Sequence, residues 1–263
     1  MQITRPFIDS VPIWVMFLVI LMVVLLSIEV GFRYGARKRK LSNRKQEAPV
    51  ASIIGATLGL LAFILAFTFG MAASRFDARK AITLDEANAI GTTYLRAGLL
   101  PEPQQTDIRN LLREYVKVRV EGVKTGQINY LVQRSEGLQK QLWSKASTLA
   151  EKEPPPAFAG LFIISLNNVI DLHQKRITAA LRNRLPGPIW GALCIVTVLA
   201  MGAVGYQTGF SGARRTIAVL LVVLAFSVVM FVIADLDQSL DGFLRISQQP
   251  MIDLQKAINK PAP

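Results

Sequence analysis

The stretch "DLDQSLDG", residues 235–242, sets Asp235, Asp237, Ser239 and Asp241 at alternate positions with Gly242 next. Alternating oxygen donors suit a hard cation such as calcium, which takes several carboxylates and carbonyls. An EF-hand loop needs glycine at its sixth position and glutamate at its twelfth; Leu240 stands at the sixth and the twelfth is not glutamate, so that motif is excluded. Two readings stay open: a looser cation site on Asp235, Asp237 and Asp241, or an acidic exit from a membrane span. His173 is the single histidine and sits among Asn167, Asn168, Asp171 and Lys175. One imidazole with no cysteine beside it is poor material for a metal site, so it reads as an ordinary buried or surface side chain. Glu29 lies late in an apolar run, where an acid is by default a candidate for an ion or proton path. Arg33, one helical turn on, is the favoured partner for it. The chain has no GxSxG elbow, no HExxH, no phosphate-cradling glycine loop and no acid pair with a pocket. Neither an enzyme nor a cofactor is expected.

The elements that position these residues are membrane helices. The chain has 263 residues, 51% hydrophobic and only 18% charged, a membrane-protein profile. Four apolar stretches, from about Ile13 to Phe32, Val50 to Ala73, Gly187 to Gln207 and Thr216 to Ala234, reach the roughly 20 residues that cross a hydrocarbon core. The first is too long, and lacks the small-residue cleavage site, for a removable signal peptide, and reads as a retained helix. The single Cys194 falls inside the third stretch, so no disulfide forms within one chain. Net charge is +12. The basic residues gather beside the apolar runs without any zinc-finger or RNP signature, which favours anionic lipid headgroups over nucleic acid.

Between spans two and three, residues 74–186 read as helices broken at "GLLPEPQ" and "EKEPPPA". Thr106 is placed to cap a helix whose Ile108, Leu111, Leu112, Tyr115 and Val118 share a face. Ile128, Leu131, Ser135, Leu138, Leu142 and Leu149 form a second stripe, and Phe162, Leu166, Val169, Ile177 and Leu181 a third. The second span has no breaker after it. It is expected to continue as one helix over 50–97, a rod of roughly 70 Å, with Phe76, Thr83, Ala87, Ile90 and Tyr94 on its inner face. Asp85, Glu86, Asn88 and Thr93 are then available for contacts between subunits or, in the simpler reading, within the bundle. The expected architecture is an all-α integral membrane protein: a hairpin over 1–73, a helical extramembrane domain over 74–186, a second hairpin over 187–236 and an amphipathic tail over 237–263.

The loop between the first two spans carries Arg33, Arg37, Lys38, Arg39, Lys40, Arg44 and Lys45 against one acid, Glu47, and the loop between the last two carries Arg214 and Arg215. Basic short loops stay in the cytoplasm, which puts both termini and residues 74–186 on the periplasmic side of a bacterial inner membrane. Arg75, Arg79, Lys80, Lys175, Arg176, Arg182 and Arg184 crowd the other span ends and pull the opposite way.

Span two holds Gly55 and Gly59 in a GxxxG spacing, and span three holds Gly202 and Gly205. Small residues let helix backbones approach closely in lipid, so these four are candidate packing positions. Gly59, Phe63, Phe67 and Met71 fall four apart on one side of span two. Repeated around an axis they would make apolar rings, which gate by dewetting; lipid-facing or core aromatics are the plainer alternative.

"LLAFILAFTFGMAASRFDARKAITLDEANAIGTTYLRAGLLP", "RLPGPIWGAL" and "VIADLDQSLDGFLRISQQPMIDL" resemble the bestrophin-like domain family of membrane proteins over nearly the whole chain. The resemblance reaches distantly to bestrophins, homopentameric anion channels with four membrane helices and a helical intracellular domain. It implies that span two lines a pore, that Phe63, Phe67 and Met71 stand in for an apolar neck, and that the run from Asp235 echoes a calcium clasp. The implied cytoplasmic domain conflicts with the loop charges. Two functions follow as expectations. One is a homo-oligomeric, anion-preferring ion channel, a pentamer by the resemblance, with Arg75, Arg79 and Arg96 concentrating permeant anions at its mouth. The other is a membrane-anchored sensor or scaffold that binds a ligand or partner through residues 74–186.

Overall fold

Apolar runs without internal proline become helices because a helix satisfies every backbone group internally, the condition a bilayer interior imposes. The computed structural model describes residues 12–41, 48–125, 127–151, 158–212, 217–238 and 242–260. In chain order the helices are α1 (Ile13–Leu41), α2 (Ala48–Ala97), α3 (Gln104–Thr125), α4 (Ile128–Ala150), α5 (Ala159–Leu181), α6 (Gly187–Ser211), α7 (Ile217–Asp237) and α8 (Gln249–Asn259). No strand occurs among the described residues. The four helices α1, α2, α6 and α7 are long and apolar enough to cross a membrane. The chain is an all-α, multi-pass membrane protein.

Its contacts divide it into two units, Pro6–Phe76 with Arg184–Arg245, and Asp77–Asn183 with Ile246–Pro263. The first unit holds α1, α6, α7 and the N-terminal half of α2. α1 packs most extensively on α6, and glycines allow it. A Cβ at Gly31 would run into the Gly202 carbonyl oxygen, one at Gly35 into that of Tyr206, one at Gly205 into that of Ile28, and one at Gly209 into that of Phe32. Backbone against backbone is the closest approach two helices can make. Val24, Leu61, Leu65, Leu193, Met201 and Met230 fill the apolar centre of the unit. Gly212 ends α6 at φ 68°, a left-handed cap that glycine takes without a side-chain clash.

The second unit packs α3 on α4 and α8, and α4 on α5, around Ile90, Ile108, Leu112, Leu138, Leu142, Phe162, Leu166 and Met251. Each expected stripe supplies buried residues, and Thr83 and Ala87 are buried beside Ile90. α3 begins at Gln104, three residues earlier than a Thr106 cap would place it. The Glu102 carboxylate is the acceptor at that end, taking Thr106 N–H at 3.3 Å and Thr106 Oγ1 at 2.9 Å, where the helix dipole favours an anion. The C-terminal helix is fixed by its own last turn: the Ile258 carbonyl accepts from Arg113 Nε at 3.1 Å and Tyr94 Oη at 3.3 Å.

Candidate functional site

The N-terminal half of α2 has two unlike sides. Ile54, Leu61, Leu65, Thr68 and Ala72 are buried against the unit, at the three-, four- and seven-residue steps of one helical face. Thr68 bonds back to its own helix, Oγ1 to Ile64 O at 2.7 Å. The other side carries Gly55, Gly59, Phe63, Phe67 and Gly70. Phe63 is 69% exposed and Phe67 64%, and a Cβ added at Gly55, Gly59 or Gly70 would meet nothing within 4 Å. Met71 is half-buried at the edge of this side. A shallow concavity of about 470 Å³ runs along it, lined by Ala66, Phe67, Gly70, Met71, Ser74 and Arg75. Gly202 and Gly205 lie in the α1–α6 seam, whereas the space beside Gly55 and Gly59 is open among the described residues.

Of the three arginines expected at a channel mouth, Arg75 borders the concavity. Arg79 is buried at 4% exposure, and Arg96 donates from Nη1 to the Leu161 carbonyl of α5 at 2.9 Å. The charge displayed beside the α2 face is therefore that of Arg75.

The acidic run is used inward. Asp235 accepts Phe243 N–H at 2.7 Å and Leu244 N–H at 3.0 Å, one on each carboxylate oxygen. Asp237 accepts Leu185 N–H at 2.8 Å, just ahead of α6. Both are buried. Among the described residues no cluster of potential metal ligands occurs, and Asp241 lies outside them. Asp235 and Asp237 thus serve as backbone acceptors that tie the end of α7 to its neighbours, and the cation reading finds no support at these two positions. Glu29 pairs with Arg33 at 2.8 Å along α1.

Among the described residues a buried polar cluster lies in the second unit, around Glu86 of α2. Its Oε2 accepts Arg119 Nη2 of α3 at 2.9 Å and Arg176 Nη1 of α5, and its Oε1 faces the Tyr115 hydroxyl at 3.4 Å. Gln139 Nε2 of α4 donates to that hydroxyl at 3.2 Å, and His173 Nδ1 of α5 lies 3.3 Å from it. Arg176 Nη2 continues to Gln248 Oε1 at 2.6 Å. Glu86, Tyr115, Arg119 and His173 are all buried. Two guanidinium groups around one carboxylate keep it ionised. Tyr115 has one hydroxyl proton to give, to Glu86 or to His173, and the His173 tautomer sets which of the two receives it. Burial, with the Arg119 and Arg176 charges beside it, pushes the His173 imidazole down to about 4 against the pull of Glu86. Burial likewise pushes the Tyr115 phenol up.

The bestrophin-like domain matches residues 14–251, from the first turn of α1 to the start of α8. The chain belongs to the bestrophin-like family. Neither the curated proteins nor the solved structures provide a match. For this bestrophin-like chain the sequence reading named Glu86 and His173 without joining them. Gly31 and Gly35 were missed outright, although "GFRYG" carries the GxxxG spacing in plain view. The partners of Glu86 had no such signal, since Arg119 and Arg176 stand 33 and 90 residues away.

Proposed function

We propose that this bestrophin-like protein is one subunit of a homo-oligomeric membrane channel in which α2 faces the conducting axis and anions are preferred. The supporting observation is the bare side of α2, where Gly59, Phe63 and Phe67 project away from their own subunit. Copies arranged about an axis, five by the family likeness, would turn these residues and Met71 into apolar rings that gate by dewetting. Gly55 and Gly59 would admit close approach of a neighbouring helix. Arg75, one turn beyond Met71 on the same concavity, would contribute a ring of positive charge at the end of the neck, which raises the local anion concentration. Arg79 and Arg96 take little part in this, being buried or engaged with α5. The basic short loops favour an inner-membrane location with residues 74–186 on the periplasmic side, and the basic span ends favour anionic lipids around the assembly.

The test is ion flux into liposomes holding the purified protein, with chloride, a larger anion and potassium compared. Chloride is expected to pass faster than potassium, and Phe67→Ala to change chloride flux severalfold. Folded protein that passes none of the three ions would overturn the proposal.

A further inference from the structure

Outside the spans, the second unit has a cleft of about 580 Å³ between α4 and α5, on a face that neither the pore reading nor the family likeness uses. That volume falls within the range typical of small-molecule sites, about 300–1,000 Å³. Three kinds of chemistry meet there. Glu136 and Lys140 stand one turn apart on α4, with Cβ atoms roughly 5–6 Å apart, and both line the cleft. Neither forms an ion pair or side-chain hydrogen bond with any described residue, although a glutamate four residues ahead of a lysine is the favourable order for one. Trp143 and Ile170 supply an apolar wall, and the indole is 44% exposed. Gln139 and Gln174 supply amides. Gln139 is held in place, because it is 6% exposed and its Nε2 is committed to Tyr115 Oη.

We propose that this cleft binds a small organic zwitterion, a molecule with an ammonium and a carboxylate a few bonds apart and a short hydrocarbon portion. Its ammonium lies against Glu136 and the Trp143 face, where cation–π attraction adds to the ion pair. Its carboxylate reaches Lys140, and its hydrocarbon part packs on Trp143 and Ile170. The opposed charges make the choice. A simple cation is attracted by Glu136 and repelled by Lys140, a simple anion the reverse, so only a dipolar ligand meets both groups favourably. Gln139 is fixed by the buried polar core, so its amide is ordered before binding, which lowers the entropy cost of the complex. The binding claim stands apart from conduction, because it is read on purified protein with no ion gradient.

The experiment is isothermal titration of the full chain in detergent with L-leucine, glycine betaine and γ-aminobutyrate. Leucinamide and 4-methylpentanoate, each missing one charge of leucine, serve as the matched analogues. At least one zwitterion should bind saturably, and both single-charge analogues should bind at least tenfold more weakly than leucine if leucine is a ligand. Glu136→Gln and Lys140→Gln, at accessible positions, should each weaken the zwitterion at least tenfold, and the accompanying fluorescence change should vanish in Trp143→Phe. Saturable binding by none of the three zwitterions overturns the proposal. So does binding that both charge-removing variants leave unchanged, or single-charge analogues as tight as leucine.

Discussion

The two halves of α2 belong to one helix of 50 residues, yet their surfaces are used differently. Beyond Asp77, Thr83, Glu86, Ala87, Ile90, Thr93 and Ala97 are buried, and the one acid among them has two cationic partners and a phenol. Before Phe76, one side is buried while Phe63 and Phe67 are mostly exposed and a Cβ added at Gly55 or Gly59 would meet no described atom within 4 Å. α1 and α6 supply the contrast, since there glycines are closed against backbone inside the same chain. A small-residue spacing therefore marks a helix fit for close packing and leaves open where its partner comes from.

Four substitutions or conditions would break or sharpen that contrast. The largest effect is expected at Gly205→Leu, where even a Cβ meets the Ile28 carbonyl. Loss of more than about 4 kcal/mol, read as failure to recover folded protein or a collapse of thermal stability, fits a backbone that cannot retreat. Next comes Glu86→Gln, which leaves Arg119 and Arg176 facing each other without a counter-charge. Removing one partner from a buried ion cluster costs about 3–5 kcal/mol, measured by denaturant or thermal unfolding of the purified protein. A loss under about 1 kcal/mol would mean that the occupied half of α2 is less closed than its burial implies.

The third is a pH effect. His173 has a folded value near 4 against an ordinary 6.5, so the unfolded chain binds the proton first. Stability from this group is complete above about 6.5 and is lost as pH falls from there toward 4, by up to roughly 3 kcal/mol. Its Nε2 has no acceptor among the described residues, so a protonated ring would find no partner there. His173→Gln should flatten the stability profile over that window, and an unchanged slope would assign the acid sensitivity to other groups. The smallest effect on the subunit itself is expected at Gly59→Leu. With open space around that position, unfolding should move by no more than about 0.5 kcal/mol, whereas chemical cross-linking between copies should fall. If Gly59→Leu unfolds the subunit as Gly205→Leu does, the difference between the two glycine-bearing faces disappears.

Much of the fold was legible because it follows from local periodicity. Apolar runs of bilayer length became α1, α2, α6 and α7, and the three-and-four stepping of Ile108, Leu112 and Tyr115, of Leu131, Ser135, Leu138 and Leu142, and of Phe162, Leu166 and Val169 became buried faces. Charged residues were harder to place. Arg79 looked like a surface cation from its neighbours in sequence but is buried, and Asp235 and Asp237, which the sequence left open between a loose cation site and an acidic span exit, accept backbone N–H groups. A charge in a linear pattern shows its sign and its spacing, while its partner is set by which helix lies opposite.

The sequence by itself determined the helices, their membrane character and the family, because hydrophobic period and span length are local properties that a bilayer and a helical backbone read directly. Only the tertiary structure decided which glycines are closed and which are bare, that Glu86 gathers Arg119, Arg176 and Tyr115, and that Gln139 joins this core to a cleft. Those outcomes rest on contacts between segments far apart in the chain, and a buried charge or a bare backbone has its energetic meaning only once its neighbour is in place.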